Sequence, residues 1–436
     1  MAIVLENALL AGFDPIRVEP GCLRIEDNLI TERGNAVSRE TTDETIDCGG
    51  AIVLPGLVNG HTHLYSALAV GITPPEKPPQ SFLENLQSVW WRLDRAHDAE
   101  SIETSARIGA LDALRCGTTT LFDHHASPNC IEGSLDLIEN GIADVGLRGI
   151  LCYETTDRHG PAGRAAGLEE NRRYLEKRVQ SYSPQFAGMV GAHASFTLED
   201  QTLEELARLA ADFDTGVHMH VAEDACDEED CQEKYQTFLI DRLTGHKLLR
   251  RQSIFVHGTH LDPDAILRVK EAGATIAHCP RSNMNNGVGT APMAAYNCPI
   301  MLGTDGHSSD MFLEARVAWL AARQDRASIP PSAVIVRLAQ AARRASAALD
   351  VTVGKLERDA VADVVITDYH PRTPLTNSNL AAHFIGALGA QHVRDVIADG
   401  RWVLRERAVK SCDEVRIRQN SAQVAAKLWS RMAAIE

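Results

Sequence analysis

Apolar and polar positions alternate along the middle of the chain in short blocks that predict strands and helices in turn. The run from Ile52 to Gly60 is mostly apolar and ends at His61-Thr62-His63, which is typical of a buried strand. Further runs of this kind occupy residues 118–123, 148–153, 188–193, 216–221, 253–257, 274–278 and 299–305. Amphipathic helical patterns lie between several of them, for example Leu203–Phe213 and Asp262–Ala272. Eight strands that alternate with helices predict an α/β fold, a (β/α)8 TIM barrel.

The two ends of the chain have a different pattern, with short strands separated by turns. Such strands are predicted at residues 2–10, 22–26, 29–31, 44–47, 362–367, 393–400 and 402–404. Neither end has enough strands to bury a core alone. We therefore expect residues 1–54 and 355–436 to form one small β-sandwich domain, with the barrel of residues 55–354 inserted between them.

Residues that bind metals recur where the predicted barrel strands end. Active sites of such barrels lie at the carboxyl ends of the strands. His61 and His63 end the first strand, and residues two apart in a strand project to the same side. The fourth to eighth strands end at His193, His220, His257, His278 and Asp305. A single histidine such as His278 is more often structural. Metal-binding residue types that recur at the same end of several strands, however, predict a functional site.

Metal chemistry selects among these residues. A catalytic zinc-type site needs a few His or carboxylate ligands and one open position for water. Three imidazoles and one carboxylate would come from His61, His63, His220 and Asp305. A metal ion held in this way lowers the pKa of its bound water and produces hydroxide near neutral pH.

Two further residues are placed to act on that hydroxide. Glu223 follows the fifth strand closely, where a shielded carboxyl can move a proton between water and substrate. The competing interpretation is a surface Glu, because Asp224, Asp227 and Glu228 follow in the same loop. His257 is placed to hydrogen-bond the hydroxide or the developing oxyanion.

Composition narrows the partners. The 436 residues carry a net charge of −16, which argues against nucleic acid bound through its phosphates but not against a nucleobase as substrate. No stretch is apolar enough to span a bilayer, and the start of the chain lacks the basic region and cleavage site of a signal peptide. We therefore expect a cytoplasmic protein that does not bind membranes, with its ten scattered cysteines reduced.

Several motifs, taken together, resemble the amidohydrolase superfamily. They are Pro55-Gly-Leu-Val-Asn-Gly-His61-Thr-His63, His220-Val-Ala-Glu223, Val256-His257-Gly, His278-Cys-Pro-Arg-Ser-Asn283 and Gly303-Thr-Asp305. The chain is most similar to the mononuclear branch, which includes cytosine, guanine and adenosylhomocysteine deaminases and the triazine hydrolases. Residues 90–95, 123–128 and 152–158 further resemble the SsnA-type aminohydrolases.

The resemblance implies one divalent metal ion, Zn²⁺ or alternatively Fe²⁺. Its ligands would be His61, His63, His220 and Asp305. Related barrels with two metal ions use a carboxylated lysine on the fourth strand, and residues 188–195 contain no Lys. The resemblance also implies that Asp305 takes a proton from the attacking water, that Glu223 protonates a ring nitrogen, and that His257 orients the hydroxide.

The resemblance also suggests six substrate contacts, namely Trp90, His125, Glu154, Arg158, His193 and Asn283. Packing in a lid or helix is the alternative for Trp90. Arg158 would grip an anionic group or a carbonyl, or else would form a surface salt bridge.

The implied reaction is hydrolytic deamination of a nitrogen heterocycle, such as a purine or pterin, with release of ammonia. Two alternatives would use the same hydroxide: dechlorination of a triazine and ring opening of a cyclic amide. A non-catalytic metal-binding protein is a third hypothesis, and the complete set of ligand and proton-transfer residues argues against it. The family also implies a homo-oligomer of dimer size or larger.

Overall fold

The structure is a computed structural model, and it describes residues 2–435. Its strands are β1 (Ile3–Phe13), β2 (Ile16–Glu26), β3 (Leu29–Gly34), β4 (Glu44–Asp47), β5 (Ile52–Pro55), β6 (Leu57–Thr62), β7 (Thr118–His125), β8 (Arg148–Tyr153), β9 (Phe186–Gly188), β10 (Val190–Ala194), β11 (Val217–Val221), β12 (Ile254–His257), β13 (Thr275–His278), β14 (Ile300–Leu302), β15 (Val364–Thr367), β16 (Val393–Ala398), β17 (Arg401–Arg405) and β18 (Ala408–Val409).

The helices fall mainly between the strands of the middle region. They are α1 (Phe82–Asn85), α2 (Trp91–Ala96), α3 (Ala99–Arg115), α4 (Ser134–Val145), α5 (Gly160–Gln180), α6 (Asp200–Asp212), α7 (Ala225–Tyr235), α8 (Leu239–Gly245), α9 (Pro263–Ala272), α10 (Pro280–Asn286), α11 (Met311–Gln324), α12 (Pro331–Leu349), α13 (Leu380–Gly386) and α14 (Glu414–Ala433). A π-helical turn at Leu86–Trp90 joins α1 to α2. Short 3₁₀ turns occur at Leu64–Ala69, Asp157–His159, Ser195–Thr197 and Ala390–His392.

Strands from both ends of the chain form one mixed sheet of nine strands. Its order is β18-β17-β16-β15-β5-β1-β2-β3, and β4 pairs with β1. The two ends meet where β5 pairs antiparallel with β15. The division of the chain at residues 54 and 355 stays a prediction.

The middle of the chain contains two parallel sheets, one of β6-β7-β8-β9 and one of β10-β11-β12-β13-β14. Isolated parallel bridges link the two sheets at both edges, between Thr155 and Ala192 and between Thr62 and Asp305. The strand predicted at residues 188–193 is in fact two short strands, because β9 pairs with β8 while β10 pairs with β11. All strand residues from β10 to β14 are buried, which explains their continuous apolar patterns.

Residues Glu414–Ala433 of the predicted β region form the helix α14 instead of strands. Its buried residues Ile417, Val424 and Leu428 recur at helical spacing. The helix packs against α3, where Lys427 pairs with Glu100 at 2.8 Å, and Trp429 Nε1 donates to the Leu68 carbonyl at 2.8 Å. This end of the chain therefore contacts the middle region as well as the end sheet.

The structure bears on two expectations drawn from composition, which concern the cysteines and membrane-spanning segments. All ten cysteines carry free thiols. Among the helices of residues 2–435, none is both long and apolar enough to span a bilayer.

Candidate active site

The four predicted metal ligands meet at the carboxyl ends of the parallel strands. His61 lies near the end of β6 with His63 just beyond it, His220 lies in β11, and Asp305 follows β14. One ligand atom from each lies within 4.8 Å of the others. His63 Nε2 is 3.0 Å from Asp305 Oδ1 and 3.2 Å from His220 Nε2. The structure thus brings together residues that are up to 244 positions apart in the sequence.

Backbone carbonyls fix the orientation of two of these imidazoles. His63 Nδ1 donates to the carbonyl of His124 at 2.6 Å, and His220 Nδ1 donates to the carbonyl of His193 at 3.1 Å. In the neutral rings the lone pairs are then on the two Nε2 atoms, which face each other across 3.2 Å. Two facing lone pairs repel unless a positive charge lies beside them. Such fixed tautomers are typical of metal-binding histidines.

The third imidazole has an unpaired nitrogen at the same place. His61 Nδ1 lies 2.8 Å from Nε2 of His218. His61 Nε2 is buried without a hydrogen-bond partner among the described residues, at 3.6 Å from Asp305 Oδ1. An unsatisfied buried polar atom costs about 1–3 kcal/mol, and coordination would remove that cost. The imidazole and carboxylate donors fit a divalent zinc or iron ion.

Electrostatics at this point favours a positive charge. Burial lowers the pKa of His61 to about 3 and holds the pKa of His220 well below its usual value, so both rings stay neutral. Burial acts in the same direction on His63, but Asp305 outweighs it and raises the pKa of His63 to about 9. Burial would also raise the pKa of Asp305, yet its bonds with His61 and His63 keep that pKa well below its usual value.

Glu223 and His257 lie beside the four ligands. His257 Nε2 is 3.3 Å from Glu223 Oε2 and 3.8 Å from Asp305 Oδ2. His257 Nδ1 donates to Asn283 Oδ1 at 2.8 Å, so the neutral ring presents an acceptor to the site. Burial raises the pKa of Glu223. A carboxyl with a raised pKa is suited to carrying a proton near neutral pH. The competing interpretation of Glu223 as a surface residue does not fit this position.

The backbone at this edge is unusual in three places. Ala222, His257 and Asp305 have φ angles of 50°, 72° and 55°. Residues other than glycine rarely adopt positive φ, and such strain is concentrated at functional sites. These angles turn the chain sharply at the ends of β11, β12 and β14, where the candidate residues leave the strands.

Two residues that the sequence analysis missed support the site from α10. Asn286 Nδ2 donates to Glu223 Oε1 at 3.0 Å, and its Oδ1 accepts from Asn85 Nδ2 at 3.3 Å. Ser282 Oγ donates to Asp305 Oδ2. Their spacing of four residues places both on one face of a helix, which is a signal that the sequence does contain.

Replacing Asn286 by Ala is therefore expected to lower kcat by about tenfold, the effect of losing about 1.4 kcal/mol of positioning. Glu223 would lose the hydrogen bond that fixes its Oε1, while every metal ligand stays in place. Steady-state kinetics and metal analysis on the same sample measure both quantities. Met284→Ala is the matched control, because that side chain is 55% exposed on the same helix. An unchanged kcat in Asn286→Ala would show that Glu223 needs no such support.

A buried ionic network forms the wall opposite Glu223. Arg158 Nη2 donates to Glu154 Oε1 at 2.7 Å, and His193 Nε2 lies 3.9 Å from the same oxygen. Although burial opposes it, the proximity of His193, His124 and Arg158 keeps the pKa of Glu154 well below its usual value. The salt bridge given as the alternative role of Arg158 does form, but the side chain is only 10% exposed, so the ion pair is buried and not at the surface.

The structure divides the six predicted substrate contacts into two groups. Trp90, Glu154 and His193 line a cavity in front of the metal ligands. His125, Arg158 and Asn283 are not among the residues that line it. His125 Nε2 bonds to Ser127 at 2.8 Å, and Asn283 holds His257. These three residues therefore lie behind the wall of the cavity.

The chain is similar to several known proteins. The model of the Amidohydrolase family matches residues 52–403. A Bacillus cytotoxicus protein named 5-methylthioadenosine/S-adenosylhomocysteine deaminase is 27% identical, over 92% of each chain. A zinc-bound Xanthomonas campestris adenosine deaminase superposes with a TM-score of 0.86 at 22% identity, over 99% of each chain. The atrazine chlorohydrolase TrzN of Arthrobacter aurescens, complexed with zinc, gives 0.81 at 22% identity, over 97% of this chain and all of the other.

Proposed function

Because this chain belongs to the amidohydrolase family and is a metal-dependent hydrolase of non-peptide C–N bonds, we propose that it deaminates a purine nucleoside of the adenosine type. The observation that carries the proposal is the meeting of His61, His63, His220 and Asp305 beside Glu223. The names of relatives that span nearly the whole chain support an adenosine derivative as substrate. The two solved structures described above are 22% identical and support the fold alone.

The proposed metal is one zinc ion, held by His61, His63, His220 and Asp305. When bound, such an ion acidifies water and so supplies a nucleophile near neutral pH. The second oxygen of Asp305, Oδ2, accepts from Ser282 and lies 3.8 Å from His257 Nε2. We assign to Asp305 the removal of a proton from the attacking water, and to His257 the orientation of that water.

Glu223 has the remaining role. Its carboxyl lines the cavity and carries a raised pKa caused by burial. Donating its proton to a ring nitrogen makes the neighbouring carbon more electrophilic. The proton that Asp305 removes then reaches the departing amino group, which leaves as ammonia. The remaining hydroxyl proton returns to Glu223 as the carbonyl group of the product forms. Trp90, Glu154 and His193 are the proposed substrate contacts, because they line the cavity.

Ammonia release from a panel of heterocycles tests the proposed function. We expect the zinc-reconstituted enzyme to deaminate adenosine, 5′-deoxyadenosine or 5′-methylthioadenosine with a kcat/KM at least about 10⁴ M⁻¹s⁻¹, which is ordinary for an enzyme. Guanine, pterin and cytosine serve as comparison substrates. Chloride release from a chlorotriazine and ring opening of a cyclic amide test the two alternative reactions. Turnover of the triazine without turnover of any nucleoside would overturn the proposal.

We also propose that the two parallel sheets close into one (β/α)8 barrel, in which β9 and β10 together hold the fourth strand position. The bridges at Thr62–Asp305 and Thr155–Ala192 support this closure, because they join the sheets at both edges. The end sheet would correspondingly be the β-sandwich of the second domain. Assembly into a homo-oligomer and a cytoplasmic location stay predictions.

A further inference from the structure

The cavity in front of the metal ligands is lined by acidic residues. Six carboxylates reach its wall, from Asp94, Glu154, Glu223, Asp224, Asp227 and Asp305. Among residues 2–435, no Lys or Arg side chain lines it. The net charge of −16 for the whole chain does not by itself require an acidic cavity. Any of the 43 Lys and Arg residues could line the cavity in a chain of the same net charge.

The histidines of the wall do not supply the missing positive charge. Burial lowers the pKa of His193 to about 3 and also lowers the pKa of His307, so both are neutral at neutral pH. His63 and His220 are proposed metal ligands, and a metal-bound imidazole is neutral. Burial raises the pKa of Asp94 and of Asp227 to about 7, but a protonated carboxyl is neutral, not positive.

The Arg158 guanidinium is not exposed to the cavity. Arg158 stands behind Glu154, to which Nη2 donates at 2.7 Å, while its Nε donates to Thr156 Oγ1 at 3.1 Å. Its guanidinium carbon lies 4.5 Å from the ring centre of Trp91, and Nη1 is 3.7 Å from Asp94. Nη1 has no hydrogen-bond partner among residues 2–435, but Arg158 is not among the residues that line the cavity. The predicted grip of Arg158 on an anionic group is therefore not supported by the structure.

A bound metal ion does not reverse the balance. A divalent ion and Arg158 would together supply three positive charges beside six carboxyl groups. Even with protons on Glu223, Asp94 and Asp227, the three remaining carboxylates would balance that charge, so the wall would carry no net positive charge. Asp224 caps the start of α7 by accepting from the Cys226 backbone N–H at 3.0 Å, and it forms no ion pair among residues 2–435. The wall thus offers a phosphate no cationic side chain in exchange for the hydration that it would lose.

We propose that this site accepts nucleosides without a net negative charge and rejects nucleotides, which carry an anionic 5′-phosphate. The inference rests on the proposed function, since it assigns the charge class of the same substrate. It separates nucleosides from nucleotides, which share the purine ring and would otherwise meet the same catalytic groups.

A substrate series with one ring and three charges tests the inference. With the zinc-loaded enzyme we expect kcat/KM for AMP to be at least about 100-fold below that for adenosine, a difference of about 2.7 kcal/mol. We expect 5′-amino-5′-deoxyadenosine to equal or exceed adenosine, with a kcat/KM that falls as salt is added because salt screens the attraction. Equal kcat/KM for AMP and adenosine would overturn the inference.

Charge reversal in the wall provides the matched test. Asp224→Lys is expected to lower the ratio of kcat/KM for adenosine to kcat/KM for AMP by about tenfold. Asp224→Asn keeps a capping side chain and should lower that ratio by a smaller factor. Glu229→Lys makes the same change of net charge at an exposed position of α7 that does not line the cavity, and should leave the ratio unchanged. An equal effect of Glu229→Lys and Asp224→Lys would assign the selectivity to overall charge and overturn the role of the wall.

Binding separates this inference from the proposed reaction. Calorimetry with zinc-loaded Glu223→Gln protein measures the affinity for adenosine and for AMP without turnover. Preferential binding of adenosine, with no nucleoside deaminated by the wild-type enzyme, would support the charge class and overturn the reaction. Equal affinities would overturn the charge class, and no binding of either compound would overturn both.

Discussion

Replacing Glu223 by Gln is expected to lower kcat for ammonia release by about 10³-fold, with the zinc content unchanged. The glutamine side chain has nearly the same shape and can still accept from Asn286 Nδ2, as Glu223 Oε1 does at 3.0 Å. It cannot donate an acidic proton to a ring nitrogen, so the loss reports proton transfer and not binding. The side chain is not among the four proposed ligands, and for this reason the metal should stay.

Zinc analysis, kcat and KM measured on one preparation check this expectation. A nearly constant KM with a greatly reduced kcat is the signature of an interaction made only in the transition state. Glu229→Gln is the matched control, since this residue is exposed on α7, six positions further along the chain. Full activity in Glu223→Gln would contradict the assigned role, whereas loss of zinc would show that Glu223 helps to hold the metal.

The strand ends show why much of the site could be predicted from the sequence. In parallel sheets every carboxyl end lies at one edge, so His61, His63, His220 and Asp305 had to meet once their strands were recognised. That reasoning needs only the period of the apolar pattern and the order of the strands. One ligand atom of each of these residues does lie within 4.8 Å of the others, while their role as metal ligands stays a prediction.

Other parts of the site depend on local backbone geometry that no pattern encodes. The positive φ of His257 and of Asp305 decides where each side chain points after its strand. Asn283 was predicted as a substrate contact from its motif, but it turns to His257 and to Thr259 instead. Arg158 was predicted either to grip an anionic group or a carbonyl or to form a salt bridge, and a salt bridge forms with Glu154, four residues earlier. Lining a cavity is a tertiary property, so the sequence pattern alone cannot decide which of these residues reach it.

The helix α14 is a different kind of omission, because its signal was present. Ile417, Val424 and Leu428 repeat at intervals that suit a helix and not a strand. The helical pattern was overlooked because the whole of residues 355–436 was assigned to the predicted β domain. The split of the fourth strand at Met189 was less visible, since β9 and β10 continue one apolar run.

Replacing Asp305 by Asn is expected to abolish zinc binding and to lower kcat by about 10⁴-fold. This factor is the upper end of the range for loss of a general base alone. The change keeps the size of the side chain but removes the charge that makes this point attract a cation. Asp305 is the single carboxylate among the four ligands, and its Oδ1 faces His63 Nε2 at 3.0 Å. In Asp305→Asn, the ion would have only three neutral imidazoles as ligands and no negative charge in direct contact.

Ser282→Ala is the graded comparison, because it removes only the hydrogen bond to Asp305 Oδ2. Loss of such an outer contact lowers metal affinity by about 10–100-fold, so excess zinc should restore Ser282→Ala but not Asp305→Asn. Zinc titration followed by ammonia release measures both variants on one scale. If Asp305→Asn bound zinc normally and lost only kcat, Asp305 would be a base outside the metal's coordination. If Asp305→Asn kept both normal zinc binding and a normal kcat, the carboxylate would neither hold the metal nor act as a base. Those roles would then have to be reassigned to neighbouring residues such as His257 and Glu223.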